Sequence, residues 1–83
     1  MMVYVLHDCV DVPYEYALAG IENVYANYED AYARMEELYN SYLEKFFSPK
    51  DARKTFIDGY EAQILNTDKE YRHTWTIARE EVV

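Results

Sequence analysis

Eighty-three residues make one domain with a modest core. Acids outnumber bases 16 to 8, and the resulting net charge of −8 has the wrong sign for direct binding to nucleic acid or an anionic membrane. One cysteine and two glycines exclude an internal disulfide, a cysteine-built zinc cluster and a glycine-rich phosphate loop.

Residues 2–10, MVYVLHDCV, are β-branched and aromatic without a helical period, and they predict a first strand over 2–9. Val3, Val5 and His7 would share one face, and Tyr4, Leu6 and Asp8 the other. The same stretch lacks a basic region and a long apolar run, so no signal peptide is expected, and no segment approaches the roughly 20 apolar residues of a membrane span. With a lone cysteine, a reducing, cytoplasmic setting is expected. Pro13 marks residues 10–15 as a connection. Residues 16–26, YALAGIENVYA, predict a second strand with a bulge or bend at Gly20.

The strongest signal is a helix over 28–47. Tyr28, Ala31, Tyr32, Met35, Leu38, Tyr39, Tyr42, Leu43 and Phe46 recur with the helical period, and Glu29, Asp30, Glu36, Glu37, Asn40 and Glu44 take the opposite side. Asn27 can accept from the free N–H groups of the first turn, and Glu29 and Asp30 suit the positive end of the helix dipole. Asp30 and Arg34 are spaced to pair across one turn. Pro49 ends the helix and opens a second, short one over 49–57, with Ser48 as cap and Asp51 near a capping-box position. That helix would bury Ala52 and Phe56, expose Lys50, Arg53 and Lys54, and stop at Gly59 in the left-handed conformation. Residues 60–65 predict a third strand, Asn66 to Lys69 a turn, and 70–78 a fourth strand. In the last, Tyr71, His73, Trp75 and Ile77 alternate with Arg72, Thr74, Thr76 and Ala78.

The order β-β-α-(short α)-β-β predicts an α+β fold: one two-layer domain with a mainly antiparallel four-stranded sheet and the long helix on one face. The helix would cover Val3, Val5, Ile64, Trp75 and Ile77 or their neighbours. The other face would carry Tyr4, Leu6, Leu65 and Thr74, apolar enough to invite a partner or a second copy.

Three sets of residues carry chemistry. Cys9 with His7 or His73 could form a thiol–imidazole pair, although no flanking glycine, helix N-terminus or orienting group accompanies them; the plain alternative is a buried cysteine and two ordinary histidines. His7, Asp8, Asp11 and Glu15 offer metal ligands, but their spacing does not match a calcium loop and an acidic loop is commonly just solvated. No metal or cofactor is therefore expected. The third set follows from charge placement. Residues 1–33 contain no Lys or Arg against six acids. Asp8, Asp11 and Glu15 are flanked by Tyr14 and Tyr16, and the helix adds Glu29, Asp30, Glu36 and Glu37 beside Tyr28. Carboxylates along a helix and a loop can imitate a line of phosphates for a groove built from Lys and Arg, and tyrosines supply rigid anchors. The plain alternative is a solvated helix face.

With Val3-Tyr4-Val5-Leu6, and entry into a helix through Tyr25-Ala26-Asn27-Tyr28-Glu29-Asp30, the chain resembles many small phage and bacterial proteins. In size, acidity and compactness the chain resembles the small proteins that phages encode against bacterial defences, the anti-CRISPR proteins among them. The resemblance implies a non-enzymatic inhibitor in the bacterial cytoplasm, binding a larger protein; it assigns no residue a role. The expected function is occupation of a basic, nucleic-acid-binding surface by Asp8, Asp11, Tyr14, Glu15, Tyr16, Tyr28, Glu29, Asp30, Glu36 and Glu37, a form of DNA mimicry. The alternative is a homo-oligomeric structural or regulatory domain pairing through its open sheet face or the edge of its last strand. A small enzyme using Cys9 is a third class.

Overall fold

The computed structural model describes residues 1–11 and 18–83. Five strands form one antiparallel sheet: β1 (Met2–Asp11), β2 (Leu18–Tyr25), β3 (Phe56–Ile57), β4 (Glu61–Asn66) and β5 (Tyr71–Glu81), in the spatial order β2-β1-β5-β4-β3. A single helix, α1 (Tyr28–Phe46), lies across one face, and a 3₁₀ helix (Pro49–Lys54) follows it. The domain is thus α+β with one main helix, but the sheet has five strands where the sequence predicts four.

The extra strand comes from the end of the predicted second helix. Asp51 does not close a capping box. Its carboxylate accepts from the Thr67 backbone N–H at 2.8 Å and from the Thr67 hydroxyl, tying the segment to the turn between β4 and β5. Those hydrogen bonds hold the Asp51 carboxyl below its usual pKa. The chain turns extended at Thr55, and Phe56 and Ile57 pair with Gln63 and Ala62. An aromatic followed by a β-branched residue suits a strand better than a last helical turn. Consequently Ala52 is exposed and Phe56 only half-buried, and Gly59 does not adopt positive φ.

Helix α1 follows its sequence signals closely. The Asn27 side chain accepts from the Asp30 N–H at 2.9 Å. Arg34 does not pair with Asp30. It reaches Glu22 on β2 at 3.1 Å and Glu37 at 2.6 Å, because it flanks the helix on the side where β2 runs. Ala31, Met35 and Tyr39 face the sheet and pack on Leu6, Ala62, Ile64, Trp75 and Ile77. Burying a side chain the size of Leu6, Met35 or Ile64 contributes about 1.5–3 kcal/mol. Asn66, 5 % exposed, donates to the Phe46 carbonyl at 2.9 Å and accepts from Lys69 N–H, so it joins the helix end to the β4–β5 turn.

Register decides which side of β1 the helix covers. Leu6 lies opposite Ile77, Asp8 opposite Trp75 and Val10 opposite His73. Directly paired residues share a face, so Tyr4, Leu6, Asp8 and Val10 look toward α1. Val3 and Val5, expected beneath the helix, stand on the other face. Ile64, Trp75 and Ile77 are covered as expected. Strand β5 lies between β1 and β4, so the predicted last strand is not an edge; the edges are β2 and the short β3. The irregularity expected at Gly20 falls two residues later. Leu6 pairs with Asn23 and His7 with Ile21, which leaves Glu22 as the extra residue of a bulge. Among the described residues, no helix is long and apolar enough to cross a membrane.

Candidate functional site

Five carboxylates stand on the outer side of α1: Glu29, Asp30, Glu36, Glu37 and Glu44, all exposed. From Glu29 to Glu44 the helix rises about 22 Å. They lie there because the helical period that sends Ala31, Met35 and Tyr39 into the sheet sends these five away from it. Arg34 engages one of them, Glu37, and Asp30 accepts from the Asn27 amide at 3.1 Å. Glu29, Glu36 and Glu44 make no ion pair among the described residues.

At the N-terminal end of α1 this row meets a tyrosine cluster. The Tyr28 ring lies 5.1 Å from Tyr60 and 6.0 Å from both Tyr4 and Tyr32. Its hydroxyl donates to the Gly59 carbonyl, which fixes the loop before β4 against the helix start. Burial, and then the neighbouring Tyr60 and Tyr32, push the Tyr28 hydroxyl above its usual pKa. Tyr60 is 52 % exposed and so presents an aromatic face at the end of the acidic row. An exposed aromatic ring beside carboxylates suits an arginine, which can stack on the ring and bond to the acids at once. The sequence places Tyr60 at the start of a strand, and nothing in its local pattern brings it next to Tyr28, thirty-two residues earlier.

The other expected contact residues divide. Asp11 belongs to β1, not to a loop, and pairs with Arg72 at 2.6 Å. Tyr14, Glu15 and Tyr16 lie outside the described residues. Asp8 turns inward and bonds to Nε2 of His73, while Nδ1 of His73 bonds to the Tyr71 hydroxyl at 2.6 Å. With an ionised Asp8, Nε2 carries the proton and Nδ1 accepts from Tyr71. His73 is 1 % exposed and stacks 3.8 Å from Trp75, with Tyr42 edge-on at 4.8 Å. Burial lowers its pKa, opposed by the Asp8 carboxylate. Burial, with Tyr42 and Asp8 nearby, raises the pKa of Tyr71. The chain Asp8–His73–Tyr71 is thus a satisfied polar connection inside the core. Its one sequence signal is that Asp8 and His73 both sit at alternating positions of apolar faces.

Cys9 and His73 cannot form a nucleophilic pair. Cys9 lies opposite Thr74 on the sheet face away from α1, and His73 lies under α1. His7 shares the Cys9 face, but Asp8 between them points the other way, which also divides the residues that offer metal ligands. Among the described residues no group of three His, Cys, Asp or Glu side chains gathers to hold a metal ion. An open depression of about 310 Å³, lined by Asp8, Val10 and Ile21 among others, gives solvent a path to Asp8, but His73 behind it is sealed. Comparison of the chain with protein-family models, with curated proteins and with solved structures found no match.

Proposed function

We propose that the protein acts by binding, not catalysis. The outer face of α1 and the adjoining tyrosines dock onto a basic surface of a larger protein, one that ordinarily holds nucleic acid, and block it. The observation that carries this is the acidic row of Glu29, Glu36 and Glu44, without an ion pair among the described residues, some 22 Å long by helical rise and ending at the exposed Tyr60. Glu29, Glu36 and Glu44 supply most of the charge, with Asp30 beside them and Glu37 sharing its charge with Arg34; Tyr60 and the ring edge of Tyr28 supply the aromatic anchor. Asp8 leaves the proposed contact set because it is committed to His73. Asp11, paired with exposed Arg72, contributes little net charge. The resemblance to phage anti-defence proteins fits this mode of action, with a bacterial nucleic-acid-binding effector as the class of target.

The test is capture from a bacterial lysate at low and at high salt, with identification of what is retained. A basic nucleic-acid-binding protein should be held at low salt, released at high salt and displaced by added DNA or RNA. Changing Glu29, Asp30, Glu36 and Glu37 together to Lys should abolish capture while the circular dichroism spectrum and melting transition persist. Unchanged capture by that variant would refute the proposal.

A further inference from the structure

Asp8 differs from the other carboxylates that make ion pairs. Glu22, Glu37, Asp11 and Asp68 each meet a Lys or Arg, and Glu81 meets the N-terminal ammonium. Asp8 meets an imidazole that burial keeps neutral. Its side chain is 32 % exposed, and among the described residues no Lys or Arg balances its charge. Oδ1 accepts from Nε2 of His73, while Oδ2 makes no hydrogen bond among the described residues. His73 is itself bonded to Tyr71 and stacked on Trp75, so the carboxylate is held in place from behind. A carboxylate two-thirds withdrawn from water without a counter-charge is costly and has a cation as its natural complement.

The depression of about 310 Å³ opens onto this carboxylate and is lined also by Val10, Ala19, Gly20, Ile21 and Glu22. Gly20 keeps it open. It lies opposite Asp8, so a side chain there would stand on the same face of the sheet. A Cβ at Gly20 would meet no atom within 4 Å, and its φ is not positive, so the backbone does not demand glycine. What the missing side chain leaves is space beside Asp8. Glu22, at the rim, is engaged by Arg34.

We propose that this depression binds the ammonium head of an aliphatic amine, with Asp8 Oδ2 as its acceptor and Val10 against its alkyl stem. Charge requires a cation, and the geometry selects which. An arginine fork matches two carboxylate oxygens, and here one is already taken by His73. A calcium or magnesium ion needs several oxygen ligands, and among the described residues no group of three His, Cys, Asp or Glu side chains gathers to hold one. A single free oxygen suits a compact ammonium. The volume is at the small end of ligand sites, which fits a short-chain amine or the end of a lysine side chain. Because the depression is open, the dissociation constant should be on the order of 1–10 mM. The site does not involve the outer face of α1 and stands or falls separately from the docking proposed there.

The experiment is titration of the full chain with n-butylammonium at constant ionic strength, followed by nuclear magnetic resonance. The amides of Asp8 and Gly20 and the ring of His73 should shift together along one saturating curve. n-Butanol, which lacks the charge, and tetramethylammonium, which lacks an N–H, should bind at least tenfold more weakly. Gly20→Leu fills the space, and Asp8→Asn removes the charge while its Oδ1 can still accept from His73; each should weaken binding at least tenfold. If Asp8→Asn does not fold, Gly20→Leu, at an exposed position, decides alone. Nα-acetyl-lysine amide separates two sources of the same head group. Binding as tight as that of n-butylammonium assigns the site to a lysine side chain presented by another protein, and exclusion assigns it to a free amine. Shifts that never saturate, equal binding of tetramethylammonium, or a Gly20→Leu variant that binds like the parent would overturn the proposal. The cation would then be drawn only by the net charge of −8.

Discussion

Mild acidification should destabilise this protein through His73. The imidazole is 1 % exposed, and burial holds its pKa below the ordinary 6.5 despite the Asp8 carboxylate. The unfolded chain therefore binds a proton that the folded chain resists. Stability is fully present above pH 6.5 and is lost as the pH falls from there toward the folded-state pKa. One proton sets the ceiling: between about pH 7.5 and pH 5.5 the loss reaches at most about 1.4 kcal/mol. For a domain of this size that corresponds to a fall in melting temperature of roughly 5–10 °C. Urea or thermal unfolding at the two pH values, in the parent chain and in His73→Phe, measures it. The variant should be weaker at neutral pH by about 1–3 kcal/mol, because the buried Tyr71 hydroxyl loses its acceptor. Its stability should nevertheless fall less than the parent's over the same window, because the buried imidazole is gone. His7, on the opposite sheet face, is common to both chains and cancels in the comparison. A parent chain whose stability rises on acidification would mean that His73 is held as imidazolium, and an equal slope in His73→Phe would mean that the proton is taken up elsewhere; either result refutes the reasoning.

Two further expectations concern the scaffold. Asn66→Ala removes the donor to the Phe46 carbonyl and the acceptor for Lys69 N–H, and should cost about 2 kcal/mol in urea unfolding, with hydrogen exchange rising first in the last turn of α1. Met35→Ala, at a position with no exposure between α1 and the sheet, should cost about 2–5 kcal/mol, a large share of the stability of a small domain. Because it leaves the outer face of α1 unaltered, any loss of binding in that variant should track the unfolded fraction read by circular dichroism.

Much of the architecture is legible in the order of residues. The helix, its Asn27 cap, its acidic outer row and its stop before Pro49 follow from local period and capping chemistry, which act within a few residues. The alternation of β5 likewise assigns Tyr71, His73, Trp75 and Ile77 to one face before any partner is known. Strand β1 is different. Its two faces, Val3-Val5 and Tyr4-Leu6, are equally apolar, so its pattern contains no preference for either side.

Pairing settles that ambiguity. Leu6 opposite Ile77 turns the even-numbered residues of β1 under the helix, carrying Asp8 to His73 and leaving Cys9 and His7 on the open face. The same long-range register makes β5 central, opens the edge of β2, and brings Tyr60 to Tyr28. The sequence alone thus determines the long helix, the four longer strands and the charge on the helix surface, since these depend on neighbours along the chain, whereas the short strand Phe56–Ile57 depends on its pairing with β4. Tertiary structure decides which polar groups are internal and which face is free, because strand register and helix placement are fixed by contacts between residues far apart in sequence, where periodicity carries no information.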